Sequence, residues 1–149
     1  MKKFRFRYER LLSLARQERR QAALSLALAL TAAEEAAAHR EAAVGSLREA
    51  RRQNHLRLRE GAPGWLVAAQ GPYQAHLQDL VRAAAAREQA AQEEVDRCRL
   101  LYQERYRQEE VYRRLRRRAW ERFYQEARRR EQLQLEEVYR WRGNGFSIA

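Results

Sequence analysis

The placement of helix-breaking residues constrains this chain more than any other feature of its sequence. Both prolines and three of the six glycines lie between residues 61 and 72, in the stretches GAPG and GP. The rest of the chain consists mainly of Ala, Leu, Glu, Gln and Arg, which are strong helix formers. Pro72 suits the first turn of a helix, and Gly143 suits a helix end. The sequence therefore predicts an all-α fold with a first helix at about 5–59, a connector at about 60–71, a second helix at about 72–142 and a short C-terminal tail at 143–149.

Apolar residues of the first helix recur at the spacing that a two-stranded coiled coil requires. Steps of four and three residues from Tyr8 reach 14 positions, of which 11 are apolar; the exceptions are Arg19, Arg40 and Asn54. Most of the 11 are alanines, which let helix axes approach closely but bury little area each. The second helix begins with the same spacing, but arginine becomes dense beyond Tyr102 and the register there is not assigned.

A short connector between two long helices favours a long antiparallel two-helix coiled-coil hairpin, and we expect residues 1–149 to form one such domain. Pairing the helices backwards from the connector places Tyr8 near residue 123. The end of the second helix, near residues 125–142, is then expected to extend beyond its partner.

The net charge of +11 is concentrated at the two ends of the chain. Residues 1–20 and residues 112–142 each carry +6, whereas residues 21–111 carry −1. An antiparallel hairpin brings the two ends together, so we expect one basic end that attracts an acidic partner.

The sequence favours a cytoplasmic protein. Cys98 is the single cysteine, which indicates a reducing compartment rather than a disulfide framework. The longest uncharged stretch, residues 21–33, is shorter than the ~20 residues of a membrane span. Eight basic residues among the first 20 do not suit a secretory signal peptide.

No pattern of catalytic or metal-binding residues is present, so we expect neither an enzyme nor a cofactor. His39, His55 and His76 are scattered, and no glycine-rich phosphate loop occurs. A nucleic-acid binder is an alternative, because the stretch RRLRRRAWERFYQEARRR combines arginines with aromatic residues that can stack on bases. Glutamates recur every five residues from 121 to 136 and would repel phosphate, so we do not expect nucleic acid as the partner.

Both ends of the chain resemble the flagellar FliJ family. The stretch FRFRYERLLSLARQERRQAA is similar to the family's start, with two nearby phenylalanines before a basic helix. The stretch ARRREQLQLEEVYRWR is similar to its C-terminal end, where Glu131, Gln132, Glu136 and Glu137 fill the family's pattern. The resemblance implies a hairpin like the stalk of the rotary ATP synthase gamma subunit. An equivalent stalk of a virulence injectisome remains an alternative.

The resemblance also implies a function and partners. Such proteins belong to the flagellar type III export apparatus at the cytoplasmic side of the inner membrane. They insert their joined termini into the hexameric export ATPase, promote its activity, contact the cytoplasmic domain of the export gate and handle export chaperones. The ATPase-contacting end of this chain is expected to comprise Phe4, Phe6, Arg7, Leu11, Arg128, Arg129, Arg130, Leu133, Leu135 and Trp141.

The family's gate contact has an aromatic residue followed by apolar residues near the start of the second helix. In this chain the corresponding residues are Tyr73, Leu77, Leu80 and Ala84. The family usually has a polar residue where Ala84 stands. The same side chains also suit the core at the closed end of a hairpin, and the sequence leaves both roles open.

Overall fold

The chain forms an antiparallel hairpin of two long helices. The computed structural model describes residues 2–146. Helix α1 spans Glu9–Arg59, the short helix α2 spans Gly64–Ala68, and α3 spans Gly71–Phe146. No β-strand occurs among residues 2–146. The predicted all-α two-helix hairpin is confirmed.

Helix α1 ends at a glycine in the left-handed conformation. Gly61 has φ +79°, a region that side chains with a Cβ rarely adopt. The Gly61 N–H donates to the carbonyl of Leu58 at 3.3 Å, and the Ala62 N–H donates to the carbonyl of Arg57 at 3.0 Å. This pair of hydrogen bonds is a Schellman motif, which satisfies carbonyls at the end of the helix and turns the chain.

The connector contains a short helix that the sequence did not indicate. The Leu66 N–H donates to the carbonyl of Pro63 at 3.0 Å and starts α2, and the Gln70 N–H donates to Val67 at 3.2 Å. Leu66 and Val67 are half-buried, whereas Trp65 is exposed. Apolar side chains therefore convert part of the predicted connector into one helical turn.

The ends of the long helices differ from the predicted boundaries. Residues 2–6 have no regular structure, and α1 begins at Glu9 rather than near residue 5, because Phe4 packs sideways against α3. Helix α3 continues through Gly143 and Gly145, and neither glycine has a positive φ. Residues 147–149 of the predicted tail lie outside the described residues. A glycine permits a helix stop but does not impose one.

The coiled-coil spacing holds along both helices. Of the 14 seam positions predicted on α1, 12 are buried or half-buried, and only Tyr8 and Arg40 are exposed. On α3, buried or half-buried side chains recur in steps of four and three from Leu77 to Phe123. Four of those positions hold charged residues, namely Glu88, Arg105, Glu109 and Arg116. These charges interrupt the apolar pattern but not the register.

Contacts group the chain into two units. Unit 1 comprises residues 1–19 and 104–149, and unit 2 comprises residues 20–103. In unit 2, Ala29, Val95 and Cys98 form a small buried cluster with Leu26 and Ala33 packed against it. Burial raises the pKa of the Cys98 thiol, and a hydrogen bond to the Glu94 carboxylate at 3.5 Å raises it further. The thiol is therefore protonated and weakly nucleophilic at neutral pH.

Candidate functional site

Almost all of the excess charge belongs to unit 1. Unit 1 contains 20 basic and 10 acidic residues, whereas unit 2 contains 11 basic and 10 acidic residues. Within the described residues, nine arginines of unit 1 on α3 have no carboxylate oxygen within 4.0 Å: Arg107, Arg117, Arg118, Arg122, Arg128, Arg129, Arg130, Arg140 and Arg142. Their charge is available to an external anionic group.

The aromatic N-terminal segment packs against α3. The ring centroids of Phe4 and Phe123 are 5.6 Å apart and tilted by 55°. The Arg116 guanidinium lies 5.6 Å from the centroid of the Phe4 ring and 3.2 Å from the carboxylate of Glu9. The Phe4 side chain therefore packs the N-terminal segment against α3 and is only partly available to a partner.

The neighbouring residues of the predicted ATPase contact are more open. Phe6 is half-buried and packs edge-on against Tyr8 at 5.8 Å, while the Arg7 guanidinium lies 5.5 Å from the Tyr8 ring centroid. The side chains of Arg7 and Leu11 are exposed. The structure thus places four of the predicted contact residues beside the paired part of α3.

The other six predicted contact residues lie on a part of α3 whose side chains are exposed. Ala127 is the last half-buried side chain, and every side chain from residue 128 to residue 145 is exposed. Leu133, Leu135 and Trp141 are among these exposed residues, and Trp141 is 79% exposed. We call residues 128–143 the free segment of α3. The extension predicted near residues 125–142 corresponds to it.

Arg128, Arg129 and Arg130 point to different sides of this segment. Successive side chains of an α-helix are about 100° apart, so three consecutive arginines cover well over half of the circumference. Exposed leucines and aromatic residues are also spread around the segment rather than confined to one stripe. The free segment can therefore contact a partner on every side.

A buried carboxylate anchors the paired part of unit 1, and it was missed from the sequence. Glu109 is 2% exposed. The Arg19 Nε donates a hydrogen bond to its Oε2, an Arg113 nitrogen lies 2.8 Å from its Oε1, and Arg16 lies 4.0 Å away. The sequence contained a signal for it, because Arg19 is an exception in the apolar pattern of α1 and needs an acidic partner.

An aromatic pair lies on the exposed side of α3 near these arginines. The rings of Trp120 and Tyr124 are stacked with centroids 5.1 Å apart and planes 12° apart. The Arg128 guanidinium lies 5.7 Å from the Tyr124 ring centroid. Both rings are exposed, so this surface has features that also suit stacking on nucleobases.

The predicted gate-contacting residues divide into two groups. Leu77 is 6% exposed and belongs to the seam of unit 2, and Ala84 is half-buried. Tyr73 and Leu80 are 53% and 46% exposed and lie off the seam. Only the exposed pair presents large side chains to a partner.

Residues 2–146 contain no group of three or more His, Cys, Asp or Glu side chains placed to hold a metal ion. None of the helices described is both long enough and apolar enough to cross a membrane.

The family model described as flagellar FliJ protein matches residues 4–145. The chain belongs to the FliJ family. No curated protein and no solved structure matches it. FliJ-family membership makes the chain a structural component of the flagellar export apparatus, associated with that machinery. Membership of the FliJ family also agrees with the helical hairpin of the structure and with the similarity of both ends of the chain to that family.

Proposed function

We propose that this FliJ-family protein is the non-enzymatic stalk of the flagellar type III export ATPase. Its basic end inserts into the hexameric ATPase ring and promotes ATP hydrolysis. The residues that follow the connector contact the cytoplasmic domain of the export gate, which holds the protein at the inner membrane of the flagellar base. It also receives export chaperones there.

The free segment of α3 carries this proposal. Its side chains are exposed on all sides, and its arginines and apolar residues are distributed around the helix. A flat surface or a groove contacts one side of a helix and leaves the others in water. A ring that surrounds the segment contacts every side, so the distribution suits a central pore.

In the proposed complex, charge attracts the two proteins to each other and apolar contact stabilises the complex once it has formed. The net charge of unit 1 attracts an acidic pore over roughly a Debye length, ~10 Å at 0.1 M salt. Leu133, Leu135 and Trp141 then supply apolar area that remains buried at high salt. Phe6, Arg7 and Leu11 contact the ring from the paired part of unit 1, beside Phe4.

Reversing three arginines tests the ring contact. Arg128→Glu/Arg129→Glu/Arg130→Glu should reduce stimulation of the purified export ATPase by about tenfold or more at low salt, because it replaces attraction by repulsion. The remaining stimulation should depend less on salt. Arg48→Glu/Arg51→Glu/Arg59→Glu is the matched control, since it reverses three exposed arginines of unit 2 and changes the net charge equally. It should leave stimulation near that of the wild type.

The same variants separate the stalk from a nucleic-acid binder, which the Trp120–Tyr124 stack makes the second candidate. Binding to single-stranded and duplex DNA should be measured between about 0.05 and 0.5 M salt. Tight wild-type binding with a steep salt dependence, lost in the reversal of residues 128–130, supports the nucleic-acid function. Combined with unchanged ATPase stimulation by that variant, it overturns the stalk proposal.

The gate contact is tested with the exposed pair alone. Tyr73→Ala/Leu80→Ala should impair flagellar export while leaving helicity, thermal stability and ATPase stimulation nearly unchanged. Leu77→Ala is the comparison, because it removes a buried side chain and should cost about 2–4 kcal/mol of unfolding free energy. Normal export by the double variant would show that Tyr73 and Leu80 do not contribute to the gate contact.

A further inference from the structure

Unit 1 contains an apolar groove between α1 and α3 that the hairpin does not explain, and of its lining residues the proposed ring contact uses Leu11 alone. The groove is open, encloses about 290 Å³, and its apolar lining consists of Leu11, Leu14, Ala15, Val111 and Tyr112. Ala15 is a buried seam residue and forms part of the floor. Leu11, Leu14 and Val111 stand off the seam and are 42%, 51% and 55% exposed. The hairpin does not use these three side chains for its own core.

Helical spacing puts exposed arginines near the groove on both helices, although none of them lines it. On α1, Arg10 lies one turn before Leu14, and residues four apart lie on the same side of a helix. On α3, Arg107 lies one turn before Val111, and Arg118 lies two turns after it. All three arginines are exposed, and none has a carboxylate oxygen within 4.0 Å in the described part of the chain.

A polar network closes one end of the groove. An Arg105 nitrogen donates to the Glu18 carboxylate at 3.0 Å and to the Gln108 side-chain oxygen at 3.2 Å. Glu18 and Gln108 line the groove at this point. The apolar part is therefore short, about one helical turn along α1 and less than one turn along α3.

We propose that this groove binds an amphipathic helix of a partner protein whose apolar stripe is flanked on both edges by Asp or Glu. Leucine side chains at spacings of three or four residues fill the groove between two helices, as in other helix-in-groove complexes. The acidic edges lie against Arg10 on one side and Arg107 and Arg118 on the other. The inference goes beyond the stalk function, since it requires neither the free segment nor an ATPase ring.

The shape and chemistry of the groove favour a helix over other anionic partners. A bilayer surface contacts the protruding Leu14 and Val111 side chains but leaves the recessed floor at Ala15 unfilled. Nucleic acid suits the arginines but gains little from a floor of leucine, valine and alanine. A helix with acidic edges matches both the apolar floor and the nearby arginines.

The probe is a synthetic peptide of about 16 residues with leucines at one face and glutamates along both edges. A second peptide has glutamine in place of every glutamate, and a third keeps the composition of the first in scrambled order. Binding to the full-length chain is followed by fluorescence anisotropy at about 0.05 and 0.5 M salt. The acidic peptide should bind about tenfold or more tightly than the glutamine peptide at low salt, and this advantage should shrink at high salt.

The variant Leu14→Gln/Val111→Gln tests the groove itself. Both side chains are exposed, so the thermal melt should match that of the wild type, while affinity for the acidic peptide should fall about tenfold or more. Leu28→Gln is the matched control. It removes a leucine that is slightly more exposed from an apolar groove of unit 2 and should leave peptide affinity unchanged.

Three results would overturn the inference. One is no specific binding of the acidic peptide, or binding equal to that of the scrambled peptide. Another is unchanged peptide affinity in Leu14→Gln/Val111→Gln. The third is a wild-type chain that does not bind the peptide but does bind phosphatidylglycerol vesicles or single-stranded DNA, with that binding lost in Leu14→Gln/Val111→Gln. Each leaves the stalk proposal intact, because that proposal is tested at residues 128–130.

Discussion

Glu109 shows how single charged residues specify the pairing of the two helices. Its carboxylate is buried, and burial of an unpaired carboxylate costs several kcal/mol. Arg19 on α1 removes this penalty only when it lies opposite Glu109. In unit 2, Arg40 on α1 also pairs with a carboxylate of α3, that of Glu88 at 3.2 Å, although both side chains are more exposed than Glu109.

The two pairs have matching spacing along the chain. Arg19 and Arg40 are 21 residues apart on α1, and Glu88 and Glu109 are 21 residues apart on α3, which is three heptads in each case. A slip of the alanine-rich seam by one heptad leaves all four charges without these partners. The charged pairs therefore specify register, as polar seam residues do in other coiled coils.

Removing the buried charge tests this role. Glu109→Gln should lower the free energy of unfolding by about 3 kcal/mol, because it leaves Arg19 and Arg113 without their shared anion. The measurement is urea unfolding followed by circular dichroism. Glu110→Gln is the matched control, since its carboxylate is more exposed and lies 3.8 Å from Arg114; it should cost about 0.5 kcal/mol or less. Equal effects of the two variants would contradict a special role for Glu109.

At the scale of the element, α3 combines a part packed against α1 with a part whose side chains are exposed. From Leu77 to Ala127 its seam is half-buried or buried, and residues 128–145 are exposed on all sides. An isolated helix of that length is marginal in water, since most helical stability comes from tertiary packing. Because the free segment continues the packed part of α3, its helix does not have to nucleate separately. The packed part gives it no tertiary contacts with α1.

Hydrogen exchange should reveal this difference within one helix. Backbone amides at 132–145 should exchange about 100-fold faster than those at 108–122, where opening requires the two helices to separate.

A chain ended after Arg130 should keep its melting temperature within about 2 °C, because the removed residues bury nothing against α1. A loss of 10 °C in that shortened chain would show that the free segment stabilises the hairpin.

At the scale of the whole molecule, the charges oppose folding as well as direct binding. The chain carries +11, and unit 1 holds most of it without enough carboxylates to balance the arginines. Such repulsion destabilises the folded state and weakens with added salt. A binding role explains why this cost is retained in unit 1.

The melting temperature should therefore rise with salt, by about 3–6 °C between 0.05 and 0.5 M NaCl. Arg117→Gln/Arg118→Gln/Arg122→Gln removes three charges that have no carboxylate nearby, so it should raise the melting temperature at low salt and reduce the salt dependence. Thermal melts followed at 222 nm provide both values. A melting temperature that falls as salt is added would show that attractive ion pairs outweigh the repulsion.

The candidate site was predictable in its composition but not in its arrangement. Counting charges located the basic ends, and the pairing of helices by length located the extension of α3. The packing of Phe4 on Phe123 was not readable, because a basic aromatic segment suits either a helix or an irregular chain. The exposure of Tyr73 and the burial of Leu77 also depend on which side of α3 faces α1.

The sequence by itself determined that the chain forms two long helices joined by one turn. The helix-breaking residues cluster at 61–72, and the spacing of the apolar residues of α1 can be read without knowing what α1 packs against. Only the tertiary structure decided the register of α3 beyond Tyr102, the burial of Glu109 and the groove at Leu14. The physical reason is that these features depend on which residues of α1 lie opposite α3, as Arg19 lies opposite Glu109. No single-helix pattern distinguishes a buried charge from a charge in solvent.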